Sequence, residues 1–596
     1  MEPISKTNLV NISDIKKVLK MDNWFGTLIA KILMRAMGIN RMNRHYYDCN
    51  TKYGRDFTQA LFKSYNIKYE IPTEQLDKLP KEGPFIIVSN HPFGGWDGVV
   101  LFDAISSVRP DFKIVTNFLL SYIPNLKEYF LSVNPFSDNK SLRSSVAGIK
   151  NAKAVLENGG VLGIFPAGEV ATYYGKKYPH DKTWEQTIMK LVLGSNVPVV
   201  PVYFDGTNSK WFHFVGRIHP MLRTVNLIHE FNKRENSTIT LKIGKPIGIS
   251  ELSKFKDIKS LSSYLRSRTY ALEANVQRNI EQKILIKNEK PLPAEPDYSL
   301  LAKEIEDIRE KGGFLFKVSK YECFITDTEV IPNIMHEIGR KREESFREVG
   351  EGTGNSIDTD KYDEYYKHLI LWDCEAQRVV GAYRLGIGEE IFKKYGVEGF
   401  YTSTLFNFSD DFIKKLPDCI ELGRSYLGVE YKKEALPLML LIKGLLYTVT
   451  NYPHTKYLFG PASISSWIPP FYRSIIVKGL EGNISKENIG LVTPKTPFEE
   501  HNLRCDLNWL LKDKTDNIDF LDKYIQRLSD NNFRVPTLIK KYIKLNAEIL
   551  AFNVDKEFNY CVDGMIFLDL DKVPVEEITS LTKGSDDPER LLKRFS

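Results

Sequence analysis

Five short apolar runs, separated by stretches of helical character, fill residues 71–250, and this alternation is the strongest constraint on the fold. Short runs rich in Val, Ile and Phe are typical of buried strands. Strands that alternate with helices predict an α/β domain. The runs are Phe85–Val88, Phe112–Thr116, Val161–Phe165, Val197–Phe204 and Thr238–Ile243.

Three of these runs end in loops that combine glycine, proline and acidic residues. The first continues into Ser89–Gly98 (S-N-H-P-F-G-G-W-D-G), the third into Pro166–Glu169 (P-A-G-E), and the fourth into Asp205–Thr207 (D-G-T). The chemistry of α/β sheets usually sits at the carboxyl ends of strands. We therefore expect the three loops to converge on one cleft.

The first loop carries a histidine and an acid six residues apart. His91 follows the run directly, and Asp97 comes after Gly94 and Gly95, which allow the backbone to turn back sharply. A histidine oriented by a carboxylate can take the proton of a hydroxyl group, and such general-base help accelerates a reaction about 10²–10⁴-fold. The alternative is a turn histidine with a loop-capping acid. The motif favours His91 as a base and Asp97 as its partner.

Length and composition indicate a globular protein of several domains. A chain of 596 residues is too long for one hydrophobic core, so we expect two to four domains. The six cysteines lack paired or metal-type spacing, which indicates reduced thiols in a cytosolic protein and no metal site. The N-terminus lacks the design of a signal peptide, and no stretch approaches about 18 uninterrupted apolar residues, so no membrane span is expected.

A Pro-rich, charged segment at Lys287–Tyr298 (K-N-E-K-P-L-P-A-E-P-D-Y) is typical of an exposed connection between domains. We expect a basic helical segment at 1–70, one α/β domain at 71–286, a linker at 287–300 and a second domain at 301–596.

The net charge of +6 lies entirely in residues 1–70, which hold 12 Lys and Arg against 6 Asp and Glu. A regular apolar stripe with flanking cations runs along a helix in this segment and suits an anionic membrane surface. The alternative is a helix docked on the domain behind it. The stripe comprises Phe25, Leu28, Ile29, Ile32, Leu33, Ala36 and Met37, with Lys31 and Arg35 towards its flank.

The second half contains a set of acids and arginines that singly would suit a solvated surface. Its acidic trio lies in a Gly- and Asp-rich stretch that also suits plain turn chemistry. An EF-hand calcium loop needs Gly and Glu at places where this stretch lacks them. The set is Arg342, Phe346, Asp358, Asp360, Asp363, Arg384, Glu421 and Arg424.

Residues 70–250 resemble the glycerolipid (1-acylglycerol-phosphate) acyltransferases in the order and spacing of three motifs. The family's His–Asp motif matches Asn90-His91…Asp97, its F-P-E-G-T-R motif matches Phe165-Pro166-Ala167-Gly168-Glu169, and its V-P-V-x-P motif matches Val197–Pro201. The resemblance implies that His91 and Asp97 are catalytic. It also implies that Asn90, Phe165, Pro166, Gly168 and Glu169 bind substrate.

Two departures from the family pattern concern the acceptor. Five residues separate His91 from Asp97 where the family has four, a feature of the hemolysin-like branch that includes lyso-ornithine-lipid O-acyltransferases. Val170 stands where the family has a phosphate-binding Arg, and the adjacent Glu169 would repel a phosphate. The alternative for Glu169 is an acid at a helix N-terminus. A lysophosphatidic acid acceptor is therefore less expected.

Residues 310–570 resemble the acyl-homoserine lactone synthases and the related ornithine N-acyltransferases, both GNAT-like α/β proteins. The resemblance rests on the order Arg-x-x-x-Phe, acid-x-acid-x-x-Asp, a strand-borne Arg and Glu-x-x-Arg, and the tail Val554–Gly564 resembles the closing segment of the hemolysin-like N-acyltransferases. It implies that Glu421 and Arg424 are catalytic and that Arg342, Phe346, Asp358, Asp360, Asp363 and Arg384 bind substrate. Interleaved acids and arginines suit a site that deprotonates an amine and holds a zwitterionic amino acid.

The two resemblances together imply a bifunctional acyltransferase of the ornithine-lipid-synthase type at the cytoplasmic face of a membrane. The C-terminal domain would N-acylate ornithine, glycine or serine with a 3-hydroxyacyl group, and the N-terminal domain would O-acylate the product. No bound cofactor or nucleic acid is expected. The donor is an acyl-CoA or an acyl carrier protein, and the latter is favoured because no clear pyrophosphate-binding Q/R-x-x-G-x-G/A loop is present.

Two other functions compete with this interpretation. One is a lysophospholipid acyltransferase with a degenerate second domain, and the other is a non-catalytic scaffold at a membrane surface.

Overall fold

The computed structural model describes residues 8–19, 21–72, 74–116, 123–132, 139–174, 178–218, 220–255, 257–273, 289–501, 518–582 and 587–595. The chain divides into two compact units. The first comprises Met1–Val276 with Asn502–Leu510, and the second comprises Gln277–His501 with Leu511–Ser596. No helix among the described residues is long and apolar enough to cross a bilayer.

The first unit is built on a mixed seven-stranded sheet of order β1-β7-β6-β2-β5-β3-β4. The strands are β1 (Lys68–Glu70), β2 (Phe85–Ser89), β3 (Phe112–Thr116), β4 (Phe130–Ser132), β5 (Val161–Ile164), β6 (Val199–Asp205) and β7 (Thr238–Ile243). β2 pairs in parallel with both β5 and β6, so the carboxyl ends of these three strands lie side by side. The five apolar runs are all strands, and β1 and β4 are additional short ones.

Helices pack against this sheet, and the hydrophobic core of the unit lies between the helices and the strands. The helices are α1 (Ile12–Leu19), α2 (Trp24–Ala36), α3 (Ile39–Tyr47), α4 (Gly54–Tyr65), α5 (Gly95–Ser106), α6 (Asn139–Glu157), α7 (Gln186–Gly194), α8 (Lys210–Ile218), α9 (Pro220–Lys233), α10 (Ile249–Leu252) and α11 (Ile258–Ala271). Every residue of β2 is buried, as its unbroken apolar sequence predicts. Helix α5, which follows β2, is buried along most of its length.

The buried side of helix α2 does not carry the largest apolar side chains of the helix. Gly26, Ala30 and Met34 are buried, whereas Phe25, Leu28 and Ile32 are 47%, 47% and 59% exposed. The predicted stripe is therefore only partly covered by the rest of the unit. We call Phe25, Leu28 and Ile32 the exposed row of α2.

The second unit contains an eight-stranded sheet of order β16-β17-β14-β13-β11-β10-β9-β8 and a two-stranded sheet of β12 and β15. The strands are β8 (Phe314–Val318), β9 (Tyr321–Asp327), β10 (Lys367–Asp373), β11 (Arg378–Ile387), β12 (Phe406–Phe408), β13 (Cys419–Leu427), β14 (Tyr457–Ile464), β15 (Val492–Pro494), β16 (Glu548–Asp555) and β17 (Cys561–Asp569). The pairing of β13 with β14 is parallel, and every other pairing is antiparallel.

Helices on both faces complete the second unit. They are α12 (Tyr298–Glu310), α13 (Pro332–Arg347), α14 (Gly388–Tyr395), α15 (Asp410–Ile413), α16 (Ala435–Asn451), α17 (Pro470–Leu480), α18 (Ile518–Leu528), α19 (Thr537–Lys544), α20 (Val575–Thr582) and α21 (Pro588–Phe595). One core cluster joins α12 and α13 to β9, β10 and β11, and another joins β13, β14, β16 and β17 to the segment 391–416.

Strands β13 and β14 separate part of the way along. They pair only from Cys419 to Glu421 with Tyr457 to Phe459, although both continue for several residues. A narrow cleft of only about 20 Å³ lies where they part, lined among others by Tyr383, Gly460 and Tyr542.

Candidate active sites

The loop after β2 is fixed to both neighbouring strands. Asn90 is buried, and its amide exchanges hydrogen bonds with the backbone of Phe204 in β6 (Nδ2 to O 2.9 Å; N to Oδ1 2.7 Å). The ring of Phe165, which follows β5, stacks on the His91 ring with centroids 4.4 Å apart. The loop that carries His91 therefore contacts the carboxyl ends of both β5 and β6, as the predicted convergence requires.

Asp97 both caps α5 and contacts His91. Its Oδ2 accepts hydrogen bonds from the backbone N–H groups of Phe93 (2.9 Å) and Gly94 (3.0 Å). Gly94 has φ +82°, which favours glycine at this sharp turn. Asp97 is therefore a capping acid, as one sequence alternative has it, and it also lies against His91, as the catalytic alternative requires.

The geometry of the pair leaves one ring nitrogen available for a substrate. His91 Nδ1 lies 2.9 Å from Asp97 Oδ2, within ion-pair distance although not aligned as a hydrogen bond. Asp97 is fully buried and the His91 side chain is 14% exposed. No described residue hydrogen bonds Nε2, so this nitrogen can accept a proton.

A further buried acid, which the sequence analysis missed, positions the His91 backbone. Asp181 Oδ1 accepts a hydrogen bond from His91 N (3.1 Å), and its Oδ2 accepts one from the Trp184 indole (3.1 Å). Burial raises the pKa of Asp181. The segment Tyr178–Trp184, which contains Asp181, shows no recognisable motif.

The P-A-G-E loop supplies one wall of this site. Pro166 is buried, and its carbonyl accepts a hydrogen bond from Glu185 N (2.9 Å). Gly168 is exposed in a turn with φ +69°. No described helix begins at Glu169, so the alternative of a helix N-terminal acid is wrong.

Glu169 is neutralised, contrary to the simple expectation of a bare negative charge. Arg223 of α9 forms a close ion pair with it, and Lys182 Nζ lies 3.4 Å from its Oε1. The guanidinium beside this loop thus comes from another helix and is paired with Glu169. Sequence reasoning missed Arg223 because nothing in its local sequence marks it.

The second unit gathers three arginines and three acids from different elements into one buried network. Arg342 contacts Asp363 (2.8 Å), and Arg384 contacts both Asp363 (3.3 Å) and Asp360. Arg424 contacts Asp358 (3.2 Å) and Asp360 (3.1 Å). All six lie in the set predicted from sequence.

Electrostatics in this network favour the charged forms. Burial opposes the charge of Asp363, but Arg342 and Arg384 outweigh it and hold the pKa of Asp363 well below its usual range. Burial likewise disfavours the charge of Arg424, but Asp358 and other neighbours raise its pKa overall. Burial lowers the pKa of the adjacent His368 to about 4, so this imidazole is neutral at physiological pH.

A β-bulge sets the direction of Arg424. Ala382 pairs with Tyr426 and Arg384 pairs with Gly423, so two residues of β13 face one of β11. Arg424 itself has φ +47°, a left-handed conformation rare for this residue type. Glu421 lies within β13 rather than at its end, because the bulge allows the strand to continue to Leu427.

Glu421 contacts the loop at Tyr401 rather than Arg424. Its carboxylate accepts hydrogen bonds from the Tyr366 hydroxyl, from Tyr401 N (3.1 Å) and from Thr402 N (2.7 Å). Burial raises the pKa of Glu421, and these hydrogen bonds oppose the rise. Its position indicates that it fixes the backbone of this loop.

Tyr401 connects the two predicted catalytic residues of the second unit. The guanidinium of Arg424 lies 4.8 Å from the centre of its ring, and that of Arg384 lies 5.4 Å away. Phe346 lies further out, in edge contact with Phe558, whose ring also meets Arg424. Tyr401 was missed because one tyrosine in an aromatic-rich stretch gives no signal.

Comparisons with known proteins match each unit to a family. Residues 24–278 match the acyltransferase family, and residues 342–442 match the acetyltransferase (GNAT) domain family. A glycine N(alpha)-acyltransferase from Bacteroides thetaiotaomicron is 33% identical over 270 residues, which are 43% of this chain and 79% of that protein. A lyso-glycine lipid O-acyltransferase from Phocaeicola vulgatus is 27% identical over 273 residues, 44% of this chain and 94% of that protein.

One solved structure also aligns with part of this chain, at low similarity. The 1-acyl-sn-glycerophosphate (LPA) acyltransferase PlsC from Thermotoga maritima has 16% identity and a TM-score of 0.25, over 44% of this chain and 91% of that chain.

Fold, sites and family matches together define an acyltransferase with an acyltransferase domain followed by a GNAT domain. With 33% identity to a relative of which it covers 79%, the chain belongs to the family of the glycine N(alpha)-acyltransferases.

Proposed function

We propose that this chain makes an acyloxyacyl amino-acid lipid by two successive acylations. The C-terminal unit N-acylates an amino acid with a 3-hydroxyacyl group, and the N-terminal unit O-acylates the hydroxyl of that product. One observation carries the proposal: a single chain holds both the His91–Asp97 pair and the arginine–acid network. Among the relatives, the corresponding activities carry the names of two different proteins. Those names favour glycine as the amino acid over ornithine or serine.

In the O-acylation step, His91 Nε2 takes the proton of the 3-hydroxyl group as that oxygen attacks the donor thioester. Asp97 holds the ring and stabilises the imidazolium that forms. The imidazolium then protonates the departing thiolate. The contact of 2.9 Å and the burial of Asp97 support these roles.

The acceptor of this step is an amino-acid lipid rather than a lysophosphatidic acid. Val170 leaves no guanidinium at the family's phosphate-binding position, and Arg223 is already paired with Glu169. Lys182, about half exposed, lies 3.4 Å from Glu169 and 3.8 Å from Glu185, so the charges beside the loop are balanced. No free cation of this group is left for a phosphate.

In the N-acylation step, the amine of the amino acid attacks the thioester of the 3-hydroxyacyl donor. Strands β13 and β14 part beside Arg424, and the donor thioester would approach at this narrow cleft, which would have to widen to admit the arm of the donor. The donor is an acyl carrier protein or an acyl-CoA, and the missing pyrophosphate-binding motif favours the carrier protein. The arginine network would hold the carboxylate of the amino acid and the oxyanion of the intermediate.

The protein acts at a membrane surface on this proposal, because its acceptor is a lipid. The exposed row of α2, together with Lys31 and Arg35 on the same helix, would contact anionic lipid. The cytoplasmic face of the membrane is part of the same proposal.

Purified full-length protein tests the proposal directly. It is incubated with glycine and a 3-hydroxyacyl carrier protein, then with a second acyl donor, and the products are identified by mass spectrometry. We expect N-acyl glycine first and the O-acylated lipid second. Acylation of lysophosphatidic acid without any N-acyl amino acid would instead support a lysophospholipid acyltransferase with a degenerate second domain. The absence of any thioester turnover would support a scaffold.

A further inference from the structure

A second group of acids lies beside the arginine network of the GNAT domain. Asp555 ends β16, Asp563 lies in the adjacent β17, and Glu351 follows α13. All three are buried, with exposures of 5%, 5% and 9%. The hydroxyl of Tyr401 donates to Asp555 Oδ2 (3.3 Å), so the ring that contacts Arg424 also contacts this group.

Asp563 is the least compensated member of the group. Asp555 accepts hydrogen bonds from Glu557 N and Phe558 N, and Glu351 accepts one from Ser463 Oγ (2.9 Å). Among the described residues, the carboxylate of Asp563 has only the weak thiol contact of Cys561, at 3.7 Å. A buried carboxylate without a strong donor is costly, and such groups are concentrated at functional sites.

The surroundings of Asp563 raise its affinity for a proton. Burial is the main effect that raises its pKa well above the usual range, and the nearby charges of Asp555 and Glu351 add to it. Arg424 acts in the opposite direction. No three His, Cys, Asp or Glu residues in the described part of the chain are arranged to hold a metal ion.

We propose that Asp563 receives the proton of the substrate's α-ammonium group, with Asp555 and Glu351 as its positioning partners. The inference rests on the proposed N-acylation and assigns its base. Arg424 and the acid group both lie around Tyr401, so the site offers a cation and an anion within reach of one small zwitterion. Glu421 is not suited to this role, because three donors already occupy its carboxylate.

The step balances in protons and bonds. One N–H proton of the ammonium group moves to the carboxylate of Asp563, which leaves a neutral amine. The amine nitrogen forms the C–N bond with the thioester carbon, the C–S bond breaks, and the thiolate leaves. The second N–H proton goes to the thiolate as the amide forms, and Asp563 returns its proton to solvent.

The test compares two substitutions on the same strand in the full chain. Asp563→Asn removes the base, and Asp569→Asn at the other end of β17 is the control. We expect kcat/KM for N-acylation of glycine at pH 7 to fall at least about 100-fold in Asp563→Asn and to be unchanged in Asp569→Asn. The defect should shrink about tenfold per pH unit between pH 7 and 9, because more of the amine is already deprotonated.

Two further readouts separate a chemical role from a structural one. Because the Asp563 carboxyl group is buried with little hydrogen-bond compensation, Asp563→Asn should have a Tm at pH 8 equal to or above that of the parent. O-acylation of a supplied N-acyl glycine should be unchanged. A lower Tm, or a loss of N-acylation equal at pH 7 and pH 9, would show a structural role and overturn the assignment.

These measurements distinguish an error in the role of Asp563 from an error in the proposed function. If the parent protein N-acylates glycine and Asp563→Asn retains its rate, only the assignment of Asp563 is wrong. If the parent N-acylates neither glycine nor another amino acid, the proposed function fails and the assignment fails with it.

Discussion

Substitution of Asp97 by Asn separates the chemical role of this residue from its role as a helix cap. The amide oxygen can still accept from the backbone N–H groups of Phe93 and Gly94, which now bond Oδ2 (2.9 and 3.0 Å). The amide N–H₂ then occupies the position of Oδ1, which is buried and has no hydrogen-bond partner. A buried unsatisfied donor costs about 1–3 kcal/mol, so the free energy of unfolding should fall by that amount.

The effect on rate should be much larger than the effect on stability. Without the carboxylate, the imidazolium of His91 is not stabilised and the ring no longer has a fixed tautomer. We expect O-acylation of N-acyl glycine by Asp97→Asn to slow by about 10²–10⁴-fold, measured with purified protein that circular dichroism shows to be folded. N-acylation should be unchanged.

Asp103 provides a matched control on the same helix. It is equally buried, and it accepts hydrogen bonds from Thr58 Oγ1 (2.6 Å), Gln59 Nε2 (2.7 Å) and the Tyr69 hydroxyl (2.7 Å). Asp103→Asn should lose stability but keep the O-acylation rate of its folded fraction. Equal rate losses in the two variants would refute the catalytic role of Asp97.

Three further predictions concern other parts of the chain. Glu421→Gln weakens the hydrogen bonds that fix Tyr401 and Thr402. It should therefore lower the free energy of unfolding by about 1–3 kcal/mol and slow N-acylation at least about tenfold. A folded variant with the parental N-acylation rate would contradict this. Burial raises the pKa of Glu351 to about 7, so its contribution to stability is complete at low pH and is lost as the pH rises from about 4.5 to 7. Urea unfolding at pH 5 and pH 8 should show a loss of up to about 3 kcal/mol from this group, absent in Glu351→Gln and retained in the exposed control Glu348→Gln. Replacing Phe25, Leu28 and Ile32 with Ser should weaken co-sedimentation with anionic vesicles. Ile489 is also exposed, and its replacement by Ser should leave co-sedimentation unchanged. Equal binding of the two variants would exclude the exposed row of α2 as the contact.

The central strands of the first unit could be predicted because their sequences are apolar without interruption. The run Val197–Phe204 became β6 at Val199–Asp205, a shift explained by Pro198, which has no N–H to donate at the start of a strand. The short strands β1 and β4 were missed, since three residues are too few to show a periodic pattern. Edge strands of this kind take their conformation from pairing with the sheet rather than from their own sequence.

Some residues of the candidate sites belong to a local sequence motif, whereas others reach the site only through contacts between distant segments. His91 with Asp97, and Arg384 with Asp360 and Asp363, stand in recognisable spacings and lie together in the structure. Arg223 and Asp181 enter the first site from segments far along the chain, and no local pattern marks them. The direction of Arg424 depends on a bulge between two strands, which only the pairing register reveals.

Lipid profiling by mass spectrometry tests the central claim most directly. The full chain and its His91→Ala variant are expressed in a host that lacks aminolipids. The parent should produce a diacylated amino-acid lipid, and His91→Ala should accumulate the monoacylated N-acyl form with no diacylated product. Production of the diacylated lipid at the parental level by His91→Ala, or the absence of any N-acyl amino acid from both, would contradict the account of two acylations by one chain.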